Sequence, residues 1–420
     1  MKLVIAEKPS VAMALASVLG ARTRKDGYVE GNGYIVSWCV GHLVGLCDAS
    51  EYDEKYKKWR YEDLPIVPEC WKHKILEGTK KQFGILKKLM RDSKVDEVIC
   101  ATDAGREGEL IFRLVYEQAG CRKPMKRLWI SSMEEQAIKD GFASLKDGSC
   151  YDSLYQSALC RAKADWLVGI NASRLFSVLY NQNLKVGRVQ TPTLAMIVDR
   201  NQKIKEFTKE KYYMAHIKFD DMDAVTENFQ KKEDADKVAA ECQERMCEVE
   251  KDDVKEKTVR PPKLYDLTTL QREANRMFGY TAQQTLDAVQ EMYEQKLVTY
   301  PRTDSQYLTD EMGESTETLI QMLFGKMPYA EGLEYQPDVS KVLNSKKVSD
   351  HHAIIPTMEV AKADIGDLKE RSRKILYLIS ARVLTATADP YIYESHKCQI
   401  TCNYHTFYLN AKKTKQEGFK

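Results

Sequence analysis

Two apolar runs, each leading into an acidic residue and then a helical pattern, constrain the fold of this chain more than any other feature. "KLVIA" runs into Glu7 and is followed by the Ala-rich "SVAMALASVLG", which Gly20 stops. "VDEVICATD" ends at Asp103 and is followed by "EGELIFRLVYEQAG", closed by Gly120. Such runs suit buried strands, and glycine is the residue that most readily takes the left-handed turn after a helix. Repeated strand-then-helix order predicts a parallel or mixed sheet with helices on its faces over the first ~150 residues. Functional groups in such sheets gather at the C-terminal ends of strands, where Glu7 and Asp103 fall.

The pattern changes farther along. From Ser153 to Phe207 apolar residues recur at helical spacing, with "QTPTLAMIVDRNQKI" continuing in helix. Residues 208–262 alternate as strands with one helix and end in the stop signal "RPPK", which sets a boundary near Pro261 and Pro262. Residues 266–300 read as helix, turn, helix. Thr268 with Gln271 and Thr281 with Gln284 have capping-box spacing, Gly279 breaks between them, and Leu267, Leu270, Ala274 and Met277 form one apolar stripe. At the end of this unit stands "VTYPRTDS". Pro301 biases Tyr300 away from helical dihedrals, so the chain is expected to leave the helix there with the phenol projecting outward.

Composition narrows the class. At 420 residues the chain is too long for one simple core. With 43% hydrophobic and 30% charged residues it reads as an ordinary soluble globular protein. No apolar run approaches the ~18 residues of a membrane span and no basic-plus-apolar leader opens the chain, so neither a membrane partner nor export is expected. The 11 cysteines include no C-x-x-C pair, which favours a reduced, cytoplasmic setting over a zinc ribbon. Cys398 and Cys402, with His396 and His405, alternate with apolar residues and read as strand positions rather than metal ligands. A net charge of +2 does not announce a nucleic-acid binder, and the basic runs "KKQFGILKKLMR" and "AKKTKQEGFK" read as solvated faces.

One acidic pair asks for more. Asp103 and Glu107 are spaced i, i+4 across a strand-to-helix turn, with Gly105 and Gly108 leaving room for phosphate or metal near the backbone. Clustered carboxylates repel, and a hard divalent cation such as Mg²⁺ is the usual resolution. Alternatively, Glu107 complements the dipole at a helix N-terminus.

Together, "VIAEKPSVA", "ATDAGREGELIF", "GRVQTPTLAMI", "TYPRTDS" and "DHHAIIPT" resemble, in order and spacing, the motifs of the type IA DNA topoisomerases, and among them the bacterial topoisomerase III group. The likeness covers Met1 to about Pro390 and, more loosely, the rest. It implies that Tyr300 attacks a DNA phosphodiester and becomes joined to the 5′ phosphate, with Arg302 holding the scissile phosphate. It implies that Glu7 acts in proton transfer and that Lys8 contacts phosphate. Asp103 and Glu107 match the first and third acids of the metal-binding D-x-D-x-E pattern, with Gly105 in place of the middle acid. Mg²⁺ is the implied cofactor, held by Glu7, Asp103 and Glu107. His351 matches the histidine near the nucleophile, with His352 the alternative. Arg161, Asp165, Arg188 and Gln190 lie where the family grips the single strand, although Asp165 also reads as an internal salt-bridge partner.

The implied fold is multidomain α/β plus α. Residues 1–150 form a Toprim domain, 151–207 the first part of a helical DNA-binding domain, 208–264 the first part of a β-arch, 265–388 a helix-turn-helix-like domain bearing Tyr300, and 389–420 an incomplete return into the arch, all around a hole wide enough for duplex DNA. The final strands are expected to lack sheet partners. The implied activity is ATP-independent cleavage of one strand, passage of another and resealing, in relaxation or decatenation. The partner is DNA with a single-stranded segment at the cut, a helicase is a further candidate partner, and the family precedent is a bacterial cytoplasmic, nucleoid-associated monomer. Two alternatives stand beside it: a truncated single-stranded DNA-binding remnant without strand passage, and a Toprim-type nuclease or primase.

Overall fold

Leu3 to Ala6 expose no surface at all, and neither do Val98 to Cys100. Strands buried on both faces belong in the middle of a parallel sheet, and the computed structural model puts them there. It describes residues 1–332, 336–349 and 351–420. Asp350, the first residue of the last motif, lies outside the described residues.

In chain order the strands are β1 (Lys2–Ala6), β2 (Thr23–Lys25), β3 (Tyr28–Gly31), β4 (Tyr34–Trp38), β5 (Val44–Leu46), β6 (His73–Ile75), β7 (Glu97–Ala101), β8 (Met125–Arg127), β9 (Lys146–Asp147), β10 (His216–Phe219), β11 (Met222–Val225), β12 (Cys247–Val259), β13 (Tyr391–Cys402) and β14 (His405–Gln416). The α-helices are α1 (Pro9–Leu19), α2 (Lys80–Arg91), α3 (Arg106–Gln118), α4 (Glu135–Ala143), α5 (Asp152–Tyr180), α6 (Gln190–Lys205), α7 (Lys232–Cys242), α8 (Leu267–Phe278), α9 (Ala282–Glu294), α10 (Gly313–Lys326) and α11 (Glu370–Thr387).

The chain divides into two compact units. The first comprises residues 1–201, 266–305 and 348–376. Its sheet runs β2-β3-β4-β1-β7-β8-β9, with β1 parallel to both β4 and β7. Ala6 lies opposite Ala101, so the two strands end level and Glu7 and Asp103 leave the sheet side by side. Gly20, at φ 76°, caps α1: its amide donates to the Ser17 carbonyl and the following Ala21 amide to the Ala16 carbonyl. Gly108 is required for a different reason: a Cβ there would meet the Asp103 carbonyl oxygen at 2.1 Å, so only glycine lets α3 start this close to the end of β7.

In α8 and α9 the caps follow the sequence only in part. Thr281 and Gln284 form the expected capping box on α9, but Asp266, not Thr268, caps α8 by accepting from the Thr269 amide. Leu270 and Ala274 are fully buried, whereas Met277 is exposed.

The second unit comprises residues 202–265, 306–347 and 377–420. Its sheet runs β10-β11-β14-β13-β12, and α7 covers one face, where Val238 and Cys242 pack with Ile400, Cys402 and Phe407. The expectation that the final strands lack partners is corrected here. β13 lies between β12 and β14 along its whole length, and β14 also meets β11 at Val225 and Tyr408. The pairing leaves little trace in the sequence because β12, the partner, has eight charged residues among its thirteen and carries no buried face to betray it.

Candidate active site

Four separate segments of the first unit meet at the ends of β1 and β7. Residues 298–300 run beside residues 353–356: the Thr299 amide donates to the Ile355 carbonyl at 3.0 Å, its hydroxyl donates to the Ala353 carbonyl at 3.1 Å, and Val298 bridges Pro356. The Tyr300 amide donates to the Ser131 carbonyl at 3.1 Å. These bonds turn Tyr300 inward, and its phenol is buried rather than projecting outward. Pro301 signals the exit from helix, but the direction of the side chain is set by partners far away in sequence.

The phenol donates to Oδ2 of Asp103 at 3.0 Å, and the Asp103 amide donates to Oε2 of Glu7 at 3.3 Å. Burial and the neighbouring Asp103 push the Glu7 carboxyl up to about 7. Burial likewise raises Asp103, opposed by the Tyr300 hydrogen bond and the charges of Lys8 and Arg302. Tyr300 is held well above the ordinary phenol range, chiefly by burial and then by Asp103, with Arg302 opposing. Its proton therefore stays on until a base takes it, and Asp103 is the base in contact.

His351 is buried and its ring lies 4.3 Å from that of Tyr300. Its Nε2 faces the Ala104 carbonyl, which can only accept, so that nitrogen carries the proton; Nδ1 then accepts from the Ser131 hydroxyl at 2.9 Å. Burial lowers His351 to about 4, which keeps it neutral near pH 7. Both nitrogens are thus engaged within the protein. His352 instead turns to the Ala353 carbonyl at 2.8 Å.

Lys8 reaches Glu294 at 3.0 Å, and Ser10 donates to the other Glu294 oxygen at 3.2 Å. Glu107 lines the same cleft of about 1020 Å³ as Glu7, Asp103, Tyr300 and Arg302, but its carboxylate pairs with Nε2 of His42 at 2.6 Å, the main reason it is held below the usual range. Arg161 also faces the cleft. Asp165 is bracketed by Arg188 at 2.5 Å and Arg161 at 3.8 Å, so the salt-bridge reading of this acid describes its place in the structure. Gln190 donates to the Lys185 carbonyl at 3.4 Å.

Among the described residues no group of three or more His, Cys, Asp or Glu side chains is arranged to hold a metal ion. Cys398, Cys402 and His396 lie in β13 and His405 in β14, and the two histidines pair with Asp252 and Glu241. At the candidate site the donors are nonetheless suited to a hard cation. Glu7 and Asp103 are adjacent oxygen donors whose ionised forms are disfavoured by burial, the condition a divalent cation relieves. Gly105 offers no third carboxylate.

Several residues here escape a reading of the sequence. Arg127 is fully buried and donates to the carbonyls of Cys100 at 3.1 Å, Thr102 at 2.8 Å and Asp103 at 2.7 Å, while facing Glu109 at 3.0 Å. It pins the loop that carries Asp103. Ser131, His42 and Glu294 likewise act through distant partners. An arginine inside the otherwise strand-like "MKRLWI" is the one signal the sequence offers.

Comparison with known proteins gives consistent results. A family model described as DNA topoisomerase matches residues 149–420, and one described as Toprim domain matches residues 2–133. Toprim domains are typically metal-binding. The chain is 40% identical over 427 residues to DNA topoisomerase 3 of Staphylococcus haemolyticus, covering 100% of this chain and 60% of that protein. It is 42% identical to DNA topoisomerase 3 of Bacillus cereus strain ATCC 14579, covering 99% of this chain and 59% of the relative. The chain thus spans about 60% of the length of the curated relatives it matches. A solved structure of full-length topoisomerase I from Thermotoga maritima shares the fold, with a TM-score of 0.73 at 24% identity, over 99% of this chain and 65% of that one.

Proposed function

The chain belongs to the type IA DNA topoisomerase family, and from that premise we propose that it cleaves one DNA strand through Tyr300, holds the end as a 5′-phosphotyrosine while another strand passes, and reseals the break. The observation that carries this is the 3.0 Å hydrogen bond from the Tyr300 phenol to Asp103, inside a cleft that also holds Glu7 and Arg302. In the forward step the phenol oxygen bonds to phosphorus, its proton passes to Asp103, and the bond from phosphorus to the 3′ oxygen breaks. Glu7, raised to about 7, is the neighbouring carboxyl able to protonate that leaving oxygen near neutrality. Resealing is the same transfer reversed. The phosphotyrosine conserves the bond energy, so ATP is not needed.

Arg302 holds the scissile phosphate and steadies its developing charge. Lys8 supplies a second cation, released from Glu294 when phosphate enters. His351 orients the Ala104 carbonyl and packs on the Tyr300 ring instead of reaching the phosphate. Arg161, Asp165, Arg188 and Gln190 guide the strand toward the cleft. Mg²⁺ is the cofactor we assign; it would be held by whichever of the two buried acids is ionised, Asp103 before the cut and Glu7 once it has given up its proton, with Glu107 joining when His42 releases it. When bound it supplies charge neutralisation among the acids and the DNA phosphates.

The segments 1–150, 151–207, 208–264, 265–388 and 389–420 are our domain assignment, supported at the N-terminal end by the Toprim match to residues 2–133. A cytoplasmic monomer acting on DNA, with a helicase as partner, completes the proposal. Among the described residues no helix is long and apolar enough to cross a membrane. The test is a single strand labelled at either end, mixed with the protein and then denatured. The account expects the 3′-labelled fragment to stay on the protein. Retention of the 5′ label instead would contradict it.

A further inference from the structure

The three long strands of the second unit sort their charge by face. Residues opposite one another in a sheet share a face, and the face alternates along each strand. Glu256, Glu394 and Lys413 share one rung, and on their side Lys415 pairs with Glu394 at 2.8 Å and His396 with Asp252 at 2.9 Å. That face is neutralised internally.

The other face is different. Lys255, Ser395 and Lys412 form one rung, Lys257 and Tyr393 the next, and Asp253 with Lys397 the one on the far side. All four lysines are exposed, and among the described residues no carboxylate lies within 4.0 Å of Lys255, Lys257, Lys397 or Lys412. Lys255 and Lys257 are about 6.6 Å apart along β12, and Lys255 and Lys412 about 9.6 Å apart across three strands. The aromatic residues here are not bare: Tyr391 stacks on Tyr393 at 5.2 Å, Lys420 lies 3.9 Å over Tyr391, and Lys412 lies 5.3 Å over Tyr393.

We propose that this lysine face of the β12-β13-β14 sheet is a docking surface for the phosphate backbone of double-stranded DNA. Charge complementarity selects a polyanion, and the choice of DNA rests on the topoisomerase reading. Duplex is favoured over single strand because the tyrosine faces are already occupied by each other and by lysine, leaving no open platform for an unstacked base. A duplex hides its bases and presents phosphate, which is what this face can meet. Contacts of this kind carry no sequence preference and weaken steeply with salt.

The experiment compares the whole chain with a triple variant, Lys255→Gln, Lys257→Gln and Lys412→Gln, in binding to a blunt duplex across a salt series. A Lys413→Gln variant on the opposite face serves as control. Losing three phosphate contacts should make the dependence of log K on log salt shallower by about 2 to 3 and weaken duplex binding by roughly tenfold or more at low salt. Lys413→Gln should leave both unchanged, and arginine at the three positions should restore them. Adduct formation on a single-stranded oligonucleotide reads the Tyr300 site separately and should be unaltered. An unchanged salt slope in the triple variant, an equal effect from Lys413→Gln, or an equal loss of single-strand binding would each overturn the proposal. Loss of adduct chemistry with duplex binding intact would instead refute the cleavage reading and leave this surface standing.

Discussion

The phenol of Tyr300 donates its proton to Oδ2 of Asp103 at 3.0 Å, joining residues 197 apart in the chain. In the proposed mechanism nucleophile and proton acceptor are therefore in contact before any substrate arrives. If Asp103 takes the proton during attack, Asp103→Asn keeps the hydrogen-bonding shape but loses the basicity. Adduct formation on a single strand should slow by about 10²–10⁴-fold, with binding of the strand nearly unchanged. Wild-type adduct rates in Asp103→Asn would remove Asp103 from the chemistry.

Glu7 predicts a pH signature. Its carboxyl is raised from 4.5 to about 7 by burial and by Asp103, so between those values the folded protein holds a proton that the unfolded chain has released. The stability this contributes is complete below about 4.5 and is lost as pH rises through about 7. Glu7→Gln, which stays neutral, should be more resistant to urea than wild type above pH 7, and the difference should shrink toward pH 4.5. Parallel urea melts across that range decide it, and a difference independent of pH would contradict the assignment. Cleavage should also fall above pH 7 in the wild type and become flat in the variant.

Gly105 occupies the place of the middle acid yet has an extended backbone, φ 170° and ψ 174°, and a Cβ there would meet nothing within 4 Å. Gly105→Asp should therefore fold normally and add a third oxygen donor. The Mg²⁺ concentration for half-maximal adduct turnover should drop several-fold. An unchanged or increased requirement would argue that the cation does not sit among these acids.

Arg127 tests the support beneath the site. Arg127→Met would leave the buried Glu109 with Arg113 alone and strip donors from four carbonyls, one of them Asp103. We expect a loss of roughly 3 kcal/mol or more in unfolding free energy by chemical denaturation. A change under ~0.5 kcal/mol, typical of a surface site, would show that the loop does not depend on it.

Much of this arrangement is legible in the sequence. The side-by-side placement of Glu7 and Asp103 follows from two strands buried on both faces, because such strands leave uninterrupted apolar runs and end at the same edge of a parallel sheet. Gly20 and the Thr281–Gln284 box are equally readable, being local. What stays hidden depends on partners distant in the chain. Pro301 speaks for the backbone of Tyr300, but Ser131 and Ile355 aim its side chain. The i, i+4 spacing sets Glu107 near Asp103, but His42 turns its carboxylate aside. Lys8 gives no sign that Glu294 awaits it. The partners of β13 and β14 are hidden for the same reason, since charged β12 reads as solvent-exposed chain.

The central claim is that one oxygen, the Tyr300 hydroxyl, makes the covalent bond to DNA. Tyr300→Phe removes that atom and leaves the ring packed against Tyr293 and His351. Wild type and variant should be incubated with a 3′-end-labelled single strand and Mg²⁺, denatured, and resolved on a denaturing gel. The account predicts equal binding before denaturation and a covalent, slowly migrating labelled species in the wild type alone. A labelled adduct persisting in Tyr300→Phe would contradict it.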